Sequence, residues 1–329
     1  MQIHPKYKIT PEILELISKI EANRQYFSLI KIPILVKEKI QRVSILKSSL
    51  FSARIEGNPL TLEEIGMEQT EEQKKIEVFN ILKAVDFINK NIKEGQEISE
   101  KDILDLHSLV MNDLFTVQGK FRKEMGAIFN SAGIAIYLSP PPQEVPLLLN
   151  KLLKYINFNK EKFPIISAFM GHFIFEKIHP FIDGNGRVGR LLVFAILKEK
   201  NWNFEVNIPF EEYLDEHKSD YYYYLDIGLK EPEEYLYFML KAFYEQTEKT
   251  KKLIESEITK KQDIFLPPRQ EEILNIIKEH PAISFDSIKR RFLKVPERTL
   301  RYDLKKLTNQ NLVEKSGKTK GSFYRAKNN

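Results

Sequence analysis

His179-Pro180-Phe181-Ile182-Asp183-Gly184-Asn185-Gly186-Arg187-Val188-Gly189-Arg190 gathers an imidazole, a carboxylate, an amide, two guanidiniums and three glycines into twelve consecutive positions. A stretch that served only as a turn would have no use for so many ionisable groups beside residues of such loose backbone. Upstream, Ile166, Phe169, Phe173 and Ile174 recur at helical spacing within Phe163 to Ile178; downstream, Leu191 to Leu197 is apolar and is followed by Lys-Glu-Lys. The run is therefore expected to be a loop between two buried helices in a mainly α fold.

Gly184, Asn185 and Gly186 fall where the second helix begins, so unpaired backbone N–H groups and the positive end of the helix dipole point into one small space, which suits phosphate. Arg187 and Arg190 are three apart and share a helix face, and guanidinium forks match phosphate oxygens two at a time. Asp183 is placed to hold a divalent cation against such a group, Mg²⁺ being the usual choice for a carboxylate plus phosphates. His179 has the titration range to take a proton from an attacking hydroxyl.

Other readings of the run fare worse. Gly184-x-Gly186-x-x-Gly189 satisfies the dinucleotide fingerprint, but that fingerprint must follow a strand and a helical pattern precedes it here. As a calcium loop the run from Asp183 has Arg187 at the fifth position, Val188 where Gly is needed and Phe194 where a bidentate Glu is required. A helix-capping loop with structurally satisfied His and Arg is the remaining alternative, and the density of ionisable groups weighs against it.

The pattern H-x-F-x-D-G-N-G-R-x-x-R resembles the signature of the Fic family, with every specified position present. That resemblance implies a Fic helical bundle and a protein adenylyltransferase, in which the motif His deprotonates a Tyr, Ser or Thr hydroxyl of a target protein that attacks the α-phosphate of ATP. AMP is transferred and pyrophosphate leaves, an in-line displacement served by positioning and charge stabilisation. By that likeness His179 is the base, Asp183 the Mg ligand, Gly184, Asn185 and Gly186 the anion hole, and Arg187 and Arg190 the polyphosphate clamps. Relatives with UTP, GTP or phosphocholine donors show that such a loop fixes the chemistry around a diphosphate better than it fixes the donor.

Upstream, Leu35 to Glu56 reads as a helix with Val43, Ile45, Leu46 and Leu50 as apolar positions, and it stops at Glu56-Gly57-Asn58-Pro59. Glu56 thus sits at the helix end that disfavours negative charge, and something cationic should compensate it. Ser52-x-x-x-Glu56-Gly57 resembles the inhibitory motif [ST]-x-x-x-E-[GN] of Fic proteins, whose Glu pairs with the second motif arginine, here Arg190, and obstructs the γ-phosphate. The likeness implies an enzyme carrying its own brake. Some braked relatives also remove AMP, using the same Glu to orient water.

Between brake and loop, Gly119 to Arg122, Gly126 to Phe129, Asn130 to Gly133 and Ile134 to Tyr137 read as two short strands around a turn, ending at Pro140-Pro141-Pro142. In Fic proteins the corresponding flap, here residues 126–138, takes up the target peptide as an added strand. Tyr221-Tyr222-Tyr223-Tyr224-Leu225 falls where Fic proteins often show Tyr-Tyr-x-x-Leu, which makes Tyr221 and Tyr222 nucleotide-contact candidates; Leu229 departs from the Asn often found four residues on. The resemblance runs from about Ser52 to Leu229.

The 329 residues are 42% hydrophobic, enough for a full core and two or three domains. No segment approaches eighteen uninterrupted apolar residues and the first residues are no signal peptide, so a cytoplasmic protein without a membrane partner is expected. Zero cysteines exclude disulfides, thiol catalysis and cysteine-ligated zinc, and six scattered His form no ligand cluster. Thr61-Leu62-Glu63-Glu64 reads as a capping-box start for the next helix, and Ser99 to Asp102 as the cap of another. The organisation expected is an N-terminal helical region over 1–100, a catalytic core over 101–245, a helical linker over 246–266 and a last domain over 267–329.

In that last domain, Gln270 to Glu279, Ser284 to Phe292 and Pro296 to Gln310 read as helices, and Leu312 to Lys315 with Phe323 to Arg325 as a two-stranded wing about Gly317 to Gly321. This resembles a winged helix-turn-helix. Residues 267–329 hold fifteen Lys plus Arg against seven Asp plus Glu, a surplus of +8, whereas the rest of the chain carries −3 of the total +5. Arg298, Arg301, Lys305 and Lys306 on the third helix, with Lys318 and Lys320 in the wing, would meet phosphates if DNA is bound. Winged helices also serve as docking or homodimer modules, so a nucleotide-sensing DNA-binding regulator is the competing function.

Overall fold

All residues from Ile165 to Ile178 are buried, which places the helix they form at the centre of its domain, since a helix apolar on every side needs neighbours on every side. In the computed structural model, which describes residues 5–66, 72–129, 135–259, 266–310, 312–317 and 322–327, the chain forms two units, 1–258 and 259–329. The first contains α1 (Pro11–Leu29), α2 (Ile34–Ile55), α3 (Glu72–Asn91), α4 (Glu100–Val110), β1 (Ala127–Phe129), β2 (Ala135–Leu138), α5 (Val145–Phe158), α6 (Pro164–Ile178), α7 (Asn185–Glu199), α8 (Glu211–Glu216), α9 (Lys218–Ile227) and α10 (Pro232–Thr259). The central helix is α6, flanked by α5 and α7. Gly171 lets the three close up: a Cβ there would stand 2.7 Å from Ile196 Cδ1 and 3.4 Å from Ile156 Cγ1.

One hydrophobic core runs from Ile13 in α1 to Ile254 in α10, so the segments 1–100 and 101–245 share their apolar interior. Caps mark several helix starts: Thr10 accepts the Ile13 N–H, and Ser99 with Asp102 makes a reciprocal capping box at α4. Thr61 and Glu64 bond reciprocally at the start of a 3₁₀ helix over Glu64–Gly66, and residues 67–71, between it and α3, lie outside the described residues.

The hairpin is antiparallel, Ala127 facing Leu138 and Ile128 facing Tyr137, with an irregularity between Ile128 and Phe129. Asn130 to Gly133, and Ile134 of the run that follows, lie outside the described residues. Gly119 to Arg122, read as part of the strands, is instead irregular, because Arg122 turns inward and is 4% exposed. No helix among the described residues is long and apolar enough to cross a membrane.

The second unit runs α11 (Pro268–Lys278), β3 (Ile283–Ser284), α12 (Phe285–Arg291), α13 (Glu297–Asn309), β4 (Val313–Ser316) and β5 (Phe323–Ala326). Its sheet has three strands in the order β3-β5-β4, all antiparallel, where two were expected. The two-residue β3 is too short for an alternation to show in sequence, and its Ser284 also caps α12 by accepting the Ser287 N–H. Ile273, Ile277, Leu300, Leu304 and Tyr324 fill the core. Asp303, 1% exposed, receives bonds from Arg269 and Gln270 and ties α13 to α11.

Candidate active site

The loop between α6 and α7 is held from several directions. His179 follows the last residue of α6 in the left-handed region, φ 51° and ψ 62°, which a non-glycine residue enters only when its surroundings demand it. Arg122 supplies the demand. Its guanidinium donates to the carbonyls of His179 (2.7 Å), Pro140 (2.6 Å), Glu124 (2.9 Å) and Ile178 (3.4 Å), so one buried cation satisfies the end of α6 and holds the chain just before and just after the hairpin.

Asn185 closes the loop upon itself: its Oδ1 accepts the Phe181 N–H and its Nδ2 donates to the Phe181 carbonyl, both at 2.9 Å. The Phe181 ring stacks on His107 at 3.7 Å. His107 Nδ1 accepts the Gly119 N–H at 2.9 Å, so its proton sits on Nε2 and is donated to the Asp183 carbonyl at 3.1 Å. Burial pulls the His107 pKa down to about 4 and keeps the ring neutral.

Gly184 opens α7 at φ 80°, and a Cβ there would lie 2.7 Å from Met111 Sδ. A Cβ on Gly186 would lie 2.2 Å from Glu56 Oε1, so the Glu56 carboxylate rests directly against the helix mouth, where an anion is favoured. Arg190, 1% exposed, donates to Glu56 Oε1 at 2.8 Å, to the Ser52 hydroxyl at 3.0 Å and to the Ser52 carbonyl at 2.9 Å. Burial works to lower the Arg190 pKa, and the Glu56 charge outweighs it and raises it. Arg187 donates to Glu77 Oε1 at 2.6 Å and to Asp183 Oδ1 at 3.1 Å. Both motif arginines are thus held by carboxylates, beside a cleft of about 460 Å³ lined by Glu56, Asn58, Glu77, Asp183 and Arg187 among others.

His179 is mostly enclosed. Burial lowers its pKa, the Glu176 backbone carbonyl opposing, so the imidazole is neutral near neutral pH; its Nδ1 has no hydrogen-bond partner among the described residues. Behind it lies a buried network. Tyr235 donates to the Phe169 carbonyl and receives the His172 Nδ1 proton, leaving Nε2 to accept from Tyr221 at 3.1 Å. Burial drives His172 to about 3 and lifts Glu176 to about 8. Glu176 Oε1 packs where a Cβ on Gly189 would be, 2.2 Å away.

Of the residues singled out from sequence, His179, Asp183, Gly184, Asn185, Gly186, Arg187, Arg190, Ser52 and Glu56 come together around this mouth. Tyr221 is 1% exposed and bonds His172, so it backs the site from the core; Tyr222 donates to the Ile55 carbonyl at the end of α2. Arg298, Arg301, Lys305 and Lys306 belong to the other unit and are exposed on α13, with Arg301 lying 3.9 Å over the Phe285 ring. Lys318 and Lys320 lie outside the described residues. Sequence reasoning missed Glu77, His107 and Arg122. Only Arg122 had a local signal, as a cation amid the residues read as strands.

A neutral imidazole, an acid and two arginines thus gather at the mouth of a helix in a mainly helical unit, a donor set of the kind that suits an anion. Comparison gives it a family: residues 97–197 match the Fic/DOC family, and the chain carries a domain of that family. It is similar to the protein adenylyltransferases Fic of Drosophila ananassae, 29% identical over 185 residues, and Drosophila erecta, 30% identical over 188. Those matches cover 53% and 54% of this chain but only 35% and 36% of the relatives, so the chain spans about a third of their length. In fold it is similar to a Fic family protein from Desulfovibrio desulfuricans G20, TM-score 0.75 at 23% identity over 99% of this chain and 98% of that one. Fic-1 (residues 134–508) from C. elegans aligns at TM-score 0.62 and 20% identity over 75% of this chain and 73% of that one.

Proposed function

We propose that this protein transfers AMP from ATP to a Tyr, Ser or Thr hydroxyl of a target protein and that Glu56 restrains the transfer. The observation that carries the reading is the arrangement at the mouth of α7, where a neutral His179 stands beside two arginines whose resting partners are carboxylates. A carboxylate on a guanidinium occupies the place a phosphate oxygen would take. In the reaction His179 accepts the proton of the target hydroxyl, whose oxygen bonds to the α-phosphorus as the bond to the bridging oxygen breaks and pyrophosphate leaves. Arg187 and Arg190 neutralise the polyphosphate, and the N–H groups from Gly184 to Arg187 point at it. With Glu56 on Arg190, the second clamp is occupied. The hairpin over 126–138 is read as the surface on which a target strand docks.

Asp183 suits a magnesium ion. Its side chain is 55% exposed, its Oδ1 takes the Gly184 and Arg187 protons, and Oδ2 enters none of its hydrogen bonds among the described residues. No cluster of three or more acidic, His or Cys side chains suited to a metal occurs among the described residues, so the remaining ligands would come from phosphates and water. The bound ion would supply charge neutralisation of the polyphosphate.

Intact-mass spectrometry of wild type, Glu56→Gly and His179→Ala after incubation with ATP and Mg²⁺, alone and with candidate target proteins, tests the reading. One adenylate per acceptor from Glu56→Gly, absent from His179→Ala, is expected. No adduct from Glu56→Gly on any acceptor, or an adduct of another nucleotide only, would overturn it; faster loss than gain of AMP would mean that removal is the favoured direction.

For the second unit we read the order α11-β3-α12-α13-β4-β5 as a winged helix-turn-helix that meets DNA through α13. The support is that Arg298, Arg301, Lys305 and Lys306 are all exposed on the face opposite Leu300, Leu304 and Leu307. Mobility shift of duplex DNA by the full chain at low and moderate salt decides; a homodimer without retardation would assign the unit to self-association.

A further inference from the structure

Glu77 of α3 is bound through both carboxylate oxygens, and its two donors belong to the two halves of the site. Oε1 accepts from Arg187 at 2.6 Å, and Oε2 accepts from Asn58 Nδ2 at 2.8 Å. Asn58 has only that orientation open to it, because its Oδ1 accepts the Leu60 N–H at 3.1 Å and its Nδ2 also donates to the Lys74 carbonyl at 3.0 Å. Position 77 therefore faces N–H groups from both sides and requires an acceptor on each oxygen, which a carboxylate meets and a Gln amide does not. Asn58 stands two residues after Glu56, and Arg187 stands one helical turn before Arg190. A closed circuit results: Arg190 to Glu56, along the backbone to Asn58, across to Glu77, and back to α7 at Arg187.

We propose that Glu77 is a positioning residue that ties the turn carrying Glu56 to Arg187, holding that turn, and with it Glu56, against Arg190 while orienting Arg187 toward the cleft. The inference rests on the adenylyltransferase reading for its kinetic part and on the circuit of hydrogen bonds for its structural part. The bond to Asn58 is charge-assisted, about twice as strong as a neutral one, and it fixes the origin from which Glu56 reaches Arg190. The bond to Arg187 fixes one edge of that guanidinium and leaves the other toward Asp183 and the cleft. Removing Glu77 frees the turn and the arginine at once, whereas removing the Asn58 amide frees only the turn.

Amide hydrogen exchange of residues 53–60 and AMP transfer should be measured for Glu77→Ala and Asn58→Ala, each with Glu56 present and in Glu56→Gly. With Glu56 present, both substitutions are expected to speed exchange of the Gly57 and Asn58 amides, which bond the Arg54 and Ala53 carbonyls, and to raise AMP transfer, each by about tenfold. In Glu56→Gly, Glu77→Ala is expected to raise KM for ATP about fivefold while Asn58→Ala leaves it within about twofold. A merely structural Glu77 would lower transfer in both backgrounds, and that result overturns the proposal. So does unchanged exchange in both single variants. If Glu77→Ala fails to fold, exchange in Asn58→Ala decides alone. If even Glu56→Gly transfers no AMP, the enzyme reading falls and the exchange data still decide the coupling.

Discussion

Arg190 reaches across 134 positions of sequence to donate a 2.8 Å hydrogen bond to Glu56, and the pair is unequal in its surroundings: the Arg190 side chain is 1% exposed and that of Glu56 29%. The guanidinium is committed to the interior whether or not its partner is present. The carboxylate sits at the end of α2, at the cleft, and has water to go to. Such a pair is built to open at one end.

Glu56→Gly should leave Arg190 with only the Ser52 hydroxyl and carbonyl, and the loss of one charge-assisted bond at a partly exposed site predicts destabilisation of about 1–2 kcal/mol in urea unfolding. Addition of ATP with Mg²⁺ should restore it in the variant more than it stabilises wild type, because phosphate then replaces the carboxylate. Equal stabilisation of the two proteins by ATP would contradict a competition for Arg190.

Arg122→Lys should cost about 2–3 kcal/mol, because a single ammonium cannot serve the carbonyls of His179, Ile178, Pro140 and Glu124 from one position, and those left behind are buried or part-buried. The His179 backbone then loses the contact that holds it left-handed. A urea midpoint within experimental error of wild type would show that other contacts suffice.

Gly184→Ala combines a left-handed backbone, about 1 kcal/mol for a residue with a Cβ, with a Cβ placed 2.7 Å from Met111 Sδ. Met111→Ala in the same chain should recover the steric part and leave the conformational part, giving a favourable coupling in a double-mutant cycle. Additive losses would mean that the thioether moves aside without cost.

Glu176 makes stability depend on pH. Burial raises its folded pKa from the ordinary 4.5 to about 8, so the folded protein keeps a proton that the unfolded chain has lost. Its contribution is fully present below about pH 4.5 and is lost progressively as pH rises through about 8. Glu176→Gln keeps the shape of the protonated acid and should flatten that fall, ending on the order of 2–4 kcal/mol more stable than wild type at pH 8.5. Parallel stability curves for the two proteins between pH 5 and 8.5 would show that Glu176 ionises normally.

What the chain declares by itself is local. The loop from His179 to Arg190 is legible because helix stops, glycines and i, i+3 arginines are properties of neighbouring residues, and the apolar face of Ile166, Phe169 and Phe173 gives away the helix before it. The capping box at Ser99 is legible for the same reason. The reciprocal bonds of Thr61 and Glu64, at the start of the 3₁₀ helix Glu64–Gly66, are equally local. The pairing of Glu56 with Arg190 was expected through resemblance, since no spacing rule links the two positions. Glu77, His107 and Arg122 were decided by the tertiary structure alone: they reach the loop from 110, 76 and 57 residues away. A lone Glu, His or Arg in a sequence looks the same whether it meets water or a buried guanidinium, ring or carbonyl, and only packing brings its partner into contact. The physical divide is that backbone preferences and helical periodicity act over a few residues, whereas the burial that turns a charge into an anchor exists only once distant helices have closed around it.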